Sequence, residues 1–314
     1  MDLREYSILP PDELRARIRK AKQEKNAVLL VHNYQRMEVQ EMADYLGDSL
    51  GLAQEATNTQ ADMIVFCGVD FMAQTAKILN PDKKVLLPDR RADCPMARMI
   101  DAESLQRAKE QYPDAVVVTY VNSTAEVKAL SDICCTSTNA VKVVRSVGNR
   151  RILFTPDRNL AEYCRRQTSA DIIPWKGYCY VHNEFSERDV LAALAEHPGA
   201  FFVAHPECRE EVLSHADAVC STNGMAAFVH DQQAEIAGRG IIIGTEIGMV
   251  EQLQSAYPDL PIYALTSSAI CATQKLTTLA KVAWSIENEA FEITMDEEIR
   301  RRAYYAVKRM IEIT

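Results

Sequence analysis

The sequence predicts an α/β protein in which one small three-layer αβα unit, with a short parallel sheet, is used three times around a pseudo-threefold axis, leaving a shared active site on the central axis. Three observations carry this. Short apolar strand-like runs alternate with amphipathic helical stretches. The pattern repeats at spacings of 88 and 85 residues. Each copy also ends on one cysteine, Cys94, Cys179 or Cys271.

The first copy opens with DELRARIRKAKQEKNAVLLVHNY, a charged helix followed by the run Ala27 to Val31 and then His32-Asn33-Tyr34. The second opens with DAESLQRAKEQYPDAVVVTYVN, whose run Ala115 to Thr119 leads to Tyr120-Val121-Asn122. The third opens with SERDVLAALAEHPGAFFVAHPE and ends at His205-Pro206-Glu207. Acidic or Ser residues at each start suit a helix N-terminus, and β-branched or aromatic runs suit strands. A helical stretch and a small polar patch follow: Gly47-Asp48-Ser49, Cys135-Thr136-Ser137 and Cys220-Ser221-Thr222. His32 to Tyr120 and Ser49 to Ser137 both span 88 residues; Tyr120 to His205 and Ser137 to Thr222 both span 85. Further strands are expected at Met63 to Cys67, Arg151 to Thr155 and Gly240 to Ile243, each followed by a helix. Last strands at Val85 to Pro88, Ile172 to Trp175 and Pro261 to Leu265 lead to the three cysteines. The units are expected at 1–98, 99–183 and 184–271, with closing helices at 272–314, the second opened by a capping box from Thr294 to Glu297.

The chain has 314 residues, 47% hydrophobic and 25% charged, with a net charge of −9. That charge argues against nucleic acid or an anionic membrane as a general partner. No signal-peptide pattern opens the sequence, and no apolar run approaches the ~18 residues of a membrane span. The expected location is the cytoplasm. Nine cysteines, an odd number without an export signal, argue against a disulfide framework, and no C-x-x-C pair supports a zinc ribbon.

In parallel sheets, ligands sit beyond the carboxyl ends of the strands. The expected site residues lie there: His32, Asn33, Tyr34, Tyr120, Asn122, His205 and Glu207, with Ser49, Ser137 and Thr222 at helix starts suited to anions. Each could instead be structural, the hydroxyls as simple N-caps; their shared positions favour a common site. Three converging thiolates suit an iron–sulfur cluster or zinc. With four irons and three protein ligands, one iron stays open and can act as a Lewis acid.

Taken together, HNYQ (His32 to Gln35), GDSL (Gly47 to Leu50), FCGVDFMAQTAKIL (Phe66 to Leu79), DCPMA (Asp93 to Ala97), YVNSTAEVKA (Tyr120 to Ala129), CTSTNA (Cys135 to Ala140), FTPDRNLA (Phe154 to Ala161), WKGYCYVHNEF (Trp175 to Phe185), HPEC (His205 to Cys208), STNGM (Ser221 to Met225) and GTEIGM (Gly244 to Met249) resemble the quinolinate synthase family. The resemblance runs from about Ala27 to Val282. It departs at Gln274, where Met is expected, and at Thr222-Asn223-Gly224, where Thr-Ser-Gly is expected.

The resemblance implies a [4Fe-4S] cluster held by Cys94, Cys179 and Cys271. It implies condensation of iminoaspartate (iminosuccinate) with dihydroxyacetone phosphate to quinolinate, releasing phosphate and two waters, in NAD biosynthesis. It marks His32, Ser49, Tyr120, Val121, Asn122, Ser137, His205, Pro206, Glu207 and Thr222 as substrate-binding, and Glu207 with Tyr34 as the acid/base pair. His182 is expected to face the cavity, either helping with phosphate or partnering the cluster. Like-charge neighbours and burial are expected to raise the Glu207 pKa towards neutrality. Lys77, Lys128 and Arg158 are expected to be solvated charges. An aspartate-oxidising enzyme is an expected transient partner. Diphthamide-synthesis proteins and the diphosphate reductase of isoprenoid synthesis share the three-cysteine plan and remain alternatives, as does a non-catalytic iron–sulfur sensor or zinc protein.

Overall fold

The computed structural model describes residues 2–313. Its strands form three four-stranded sheets, all parallel. The first holds β1 (Ala27–His32), β2 (Tyr45–Gly47), β3 (Met63–Cys67) and β4 (Lys84–Leu86). The second holds β5 (Val116–Tyr120), β6 (Ile133–Cys135), β7 (Ile152–Thr155) and β8 (Ile172–Pro174). The third holds β9 (Phe201–Ala204), β10 (Ala218–Val219), β11 (Ile241–Gly244) and β12 (Ile262–Ala264). All three share one strand order: in the first, β2-β1-β3-β4.

Both faces of each sheet are buried, as parallel sheets require. On β1, Val28 and Leu30 pack towards helices Ser49–Asn58 and Asp70–Leu79, whereas Leu29 and Val31 pack towards Pro11–Glu24 and Leu279–Asn288. On β9, Phe202 and Val203 likewise belong to different cores. This alternation is the period of two along a strand turned into αβα layers. The apolar runs therefore read as continuous because neither face meets water.

Three findings refine the expectations. The short edge strands β2, β6 and β10 precede the polar patches and were not expected; at two or three residues they are too brief to show a pattern, and Tyr45 and Leu46 of β2 are exposed. Helix Glu297–Glu312 is capped by Asp296, which accepts from the Glu298 and Ile299 amides at 2.9 and 3.1 Å, not by a Thr294 capping box. The cause is the preceding segment: the Ile293 amide donates to Val85 O (2.8 Å) and Glu292 bridges antiparallel to Leu86 of β4, keeping the chain out of the helix until Asp296. That last helix packs on Asp70–Leu79, on β6 and on Ala125–Lys128, and Asn139 Nδ2 donates to the carbonyls of Met310 (2.9 Å) and Ile313 (2.7 Å). It closes the first unit against the second.

Candidate active site

The strand ends of all three units face one cavity. Its lining includes His32, Tyr34, Ser49, Tyr120, Asn122, Ser137, His182, His205, Glu207, Thr222, Cys94, Cys179 and Cys271. Of the residues named from sequence, Val121 and Pro206 lie outside the lining. Val121 is buried in the core of the first unit, and Pro206 is buried in the turn between His205 and Glu207. Among the described residues, no Lys or Arg lines the cavity.

Local structure explains which hydroxyls are free. Asp48 caps helix Ser49–Asn58 by accepting from the Gly51 amide (2.9 Å), so Ser49 is the first helical residue and not the cap. Ser221 caps Thr222–Asp231 in the same way through Gly224 (3.3 Å). Thr222 Oγ1 then accepts from Asn33 Nδ2 at 2.8 Å, joining the third unit to the first. Ser137 sits in the turn before helix Ala140–Val147.

A chain of side chains crosses the cavity wall. The Tyr34 and Thr245 hydroxyls are 2.7 Å apart, and Thr245 Oγ1 lies 2.9 Å from His182 Nε2. His182 Nδ1 lies 2.6 Å from Glu207 Oε2, and the Tyr120 phenol is a further polar neighbour of Glu207. His182 stacks on His205 with ring centroids 4.4 Å apart. Burial pushes Glu207 up, but the His182 and His205 imidazoles and polar contacts from His182 and Tyr120 outweigh it. The carboxyl is held below its ordinary range. This corrects the expectation of a raised pKa: the two imidazoles and the polar contacts to Glu207 outweigh both burial and the neighbouring Asp157 carboxyl. Burial drives His32 and His205 down to about 3, so both rings are neutral at pH 7. Burial also raises the Tyr34 and Tyr120 phenols.

The three cysteines share one device. Each main-chain N–H is held by a carboxylate: Cys94 by Asp93 (2.7 Å), Cys179 by Asp157 (2.8 Å) and Cys271 by Glu246 (3.0 Å). Asp157 and Glu246 are N-caps of corresponding helices, Arg158–Thr168 and Ile247–Ala256. The corresponding N-cap in the first unit is Val69, and the adjacent Asp93 substitutes. Burial, with some contribution from the other thiols, raises Cys94 and Cys179. Converging thiols that resist ionisation fit a metal or cluster, whose charge offsets that cost. Cys179, His182 and Glu207 also place one ligand atom each within 4.8 Å of one another, close enough to hold a single metal ion. Cys67, Cys134, Cys135, Cys164 and Cys208 are buried away from the lining, and Cys220 is half-buried.

Several lining or supporting residues escaped the sequence reading: Asp48, Asp157, Thr245, Glu246 and Gln274. Asp157 and Glu246 carried a usable signal, since they occupy matching places in PDRNLAEYCRR and TEIGMVEQLQ. Three expected surface cations behave otherwise. Lys128 is completely buried, its ammonium donating to Ser123 O and lying 5.5 Å from the Phe71 ring. Lys77 donates to the carbonyls of Pro81 (3.1 Å) and Lys83 (2.8 Å), and Arg158 donates to Asn183 Oδ1 (2.9 Å). Both are half-buried, the Lys77 head finishing two main-chain carbonyls and the Arg158 head held by a side-chain amide.

Comparison with known proteins agrees with this geometry. The model of the family described as Quinolinate synthetase A protein matches residues 16–312. The quinolinate synthase of Methanothermobacter thermautotrophicus is 50% identical over 306 residues, covering 96% of this chain and 99% of the relative. That of Methanosarcina barkeri is 48% identical over 301 residues, covering 96% and 98%. The Thermodesulfovibrio yellowstonii quinolinate synthase is 47% identical over 293 residues, covering 93% and 95%. Three cysteines and a His/Tyr/Glu set converging from three like sheets, in a sequence matched along nearly all of its length, place this chain in the quinolinate synthase family of enzymes.

Proposed function

We propose that the protein condenses iminoaspartate with dihydroxyacetone phosphate to give quinolinate, phosphate and two waters, as a step of NAD biosynthesis in the cytoplasm. The observation that carries this is the convergence of Cys94, Cys179 and Cys271 on the cavity that also holds His32, His205 and Glu207. The three thiolates would hold a [4Fe-4S] cluster, which supplies Lewis-acid polarisation of a substrate oxygen at its unligated iron.

The remaining roles belong to the chain's own side chains. Without Lys or Arg in the lining, the anionic substrates are gripped by neutral donors: the His32 and His205 rings, the hydroxyls of Ser49, Ser137, Thr222 and Tyr120, and the Asn122 amide. Val121 and Pro206 set the turns that aim them. Glu207, held ionised, is the base that first takes a proton, and Tyr34 is the acid that returns one. Thr245 and His182 lie between them at hydrogen-bond distance and let a proton pass from one end to the other. His182 thus has a role in proton movement as well as contact with Cys179, whose Sγ is 3.3 Å from its Nδ1.

Anaerobic purification with iron and sulfide counting, followed by a quinolinate assay, tests the reading. Four irons per chain and quinolinate formation support it. Cys94→Ser, Cys179→Ser and Cys271→Ser should each lose cluster and activity, whereas Ser at Cys67, Cys134, Cys135, Cys164, Cys208 or Cys220 should keep the cluster. The Cys179–His182–Glu207 grouping favours one second reading, a single-zinc protein. Colourless anaerobic protein carrying one zinc would establish that instead. No helix among the described residues is long and apolar enough to cross a membrane. A transient contact with an aspartate-oxidising enzyme would deliver the imino acid before it hydrolyses.

A further inference from the structure

We infer that Gln274 is a positioning residue that, together with the Tyr34 main-chain N–H, secures the His32 tautomer, keeping the His32 proton on Nε2 as a hydrogen-bond donor to a substrate carboxylate. The inference rests on the function proposed above for the identity of the ligand, but not for the tautomer. Gln274 is the residue that departs from the expected methionine, and it is buried in the cavity lining at 4% exposure.

The orientation of two amides follows from one main-chain carbonyl. Gln35 donates from its Nε2 to Gln274 O at 2.8 Å, and a carbonyl oxygen can only accept, so the Gln35 amide cannot be flipped. The same Nε2 donates to Gln274 Oε1 at 2.5 Å. The oxygen of Gln274 therefore faces Gln35, and its nitrogen faces His32 Nδ1 at 3.4 Å. The main-chain N–H of Tyr34 points to that same Nδ1 at 3.2 Å. Two N–H groups converge on one ring nitrogen, which must present its lone pair to them. In a neutral imidazole the proton then sits on Nε2. Among the described residues, no protein hydrogen bond engages His32 Nε2, so this N–H is free for a ligand.

The corresponding histidine shows how much of this lock belongs to Gln274. His205 Nδ1 accepts from the Glu207 amide at 3.4 Å, the same i+2 contact, but no side-chain amide faces it. Its Nδ1 lies instead 3.6 Å from Glu207 Oε2. His32 thus has a doubly secured tautomer, and His205 a singly secured one beside a carboxylate. For a neutral ring, tautomer decides between attraction and repulsion of an anion. A donor on Nε2 binds a carboxylate; a lone pair there faces it unpaired.

The test uses the holoprotein with ¹⁵N-labelled histidine, together with quinolinate binding and steady-state kinetics. Long-range ¹H–¹⁵N correlation should place the His32 proton on Nε2 in the unsubstituted protein. Gln274→Met removes one donor but leaves the Tyr34 amide, so the tautomer should persist with quinolinate affinity lowered a few-fold and kcat within about twofold. Gln274→Glu keeps the length but replaces the side-chain N–H that faces Nδ1 with a carboxylate oxygen, set against the one remaining donor, the Tyr34 amide. It should move the proton to Nδ1 and weaken quinolinate binding about 10- to 100-fold, the cost of an unpaired polar group facing the ligand. A wild-type proton on Nδ1 overturns the inference without any variant having to fold. So does an unchanged tautomer in Gln274→Glu with an affinity equal to that of Gln274→Met. If quinolinate fails to bind the unsubstituted protein, the substrate reading falls, while the ring-proton measurement still decides the tautomer.

Discussion

After β1, the short helix Met37–Gln40 ends on a glutamine whose Nε2 donates to the carbonyls of Asn33 (3.0 Å) and Gln35 (2.9 Å). After β5, the matching helix Ala125–Lys128 ends on a lysine whose ammonium donates to Ser123 O. After β9, Glu210–Leu213 ends on a buried leucine that can donate nothing. At the repeat spacings, Gln40, Lys128 and Leu213 are equivalent, and so are Gln35 and Ser123. The first and third turns share one backbone hydrogen bond, from the Gln35 amide to His32 O and from the Cys208 amide to His205 O (both 3.0 Å), whereas in the second the Ser123 amide donates to Val121 O (2.7 Å); the prop differs in all three. The third turn manages without a donor from its own helix because Pro206 restricts its backbone and Asn159 Nδ2, from the second unit, donates to Glu207 O at 2.9 Å. The difference extends to the chemistry carried at the tip, where Tyr34, Asn122 and Glu207 occupy equivalent positions. Repetition supplied a frame, and each copy could then specialise without disturbing the others.

Making the third tip resemble the second is the sharpest way to break this picture. Glu207→Gln keeps shape and hydrogen bonding, as Asn122 does, but removes the base. Turnover should fall roughly 10²–10⁴-fold with cluster content and substrate affinity little changed. Near-normal turnover, or a defect confined to KM, would mean that the three tips are chemically interchangeable. The first tip is the next largest effect. Tyr34→Phe cuts the link to Thr245 and His182 and should lower kcat about 10²-fold, within the usual range for a positioned acid. If Thr245→Val leaves kcat intact while Tyr34→Phe does not, the path through Thr245 is not the one used.

Smaller effects should come from the polar patches. Ser49→Ala and Thr222→Ala remove uniform binding and should raise KM about tenfold with kcat kept. Because Asp48 and Ser221 do the capping, neither change should cost the helix stability of a lost N-cap, about 1 kcal/mol. A drop of that size in the unfolding free energy for Ser49→Ala would make its hydroxyl structural after all, whereas Thr222→Ala also gives up the hydrogen bond from Asn33 and is judged by KM alone.

Much of this was legible in the sequence because the signal was repeated. Strand, turn and cysteine recur at fixed spacing, so β1, β3 and β4 and their counterparts were each found within one or two residues. What stayed hidden depends on contacts between units. Thr245 looks like an ordinary residue in GTEIGM, and only folding brings it between Tyr34 and His182. The ionisation of Glu207 depends on His182, which lies 25 residues upstream. A list of nearby anions could not reveal a donor placed by a different unit. Lys128 misled for the opposite reason: a lysine on a short helix reads as solvated unless its destination beneath the turn is known.

That lysine provides the finest test of the comparison, since it is the one prop that titrates. Burial depresses its pKa to about 8, although Cys134, Asp70, Glu126 and Cys94 push the other way. In the unfolded chain a lysine titrates near 10.4. The charged form is therefore disfavoured by folding, and the cost is greatest below about pH 8, where the group is protonated in both states. As pH rises from about 8 towards 10.4, the folded protein has lost this proton and the unfolded chain still holds it. Stability relative to a variant without the group must rise over that window. Comparison with Lys128→Met removes every other titrating group from the difference. Between pH 7.5 and 9.5 the unfolding free energy of the unsubstituted protein should gain about 2 kcal/mol on that variant. Gln40→Leu, which alters the equivalent but neutral prop, should show a destabilisation that does not change over the same range. A constant gap for Lys128→Met would mean that its ammonium reaches water, and the second turn would then be held as the third is, by packing and neighbouring side chains.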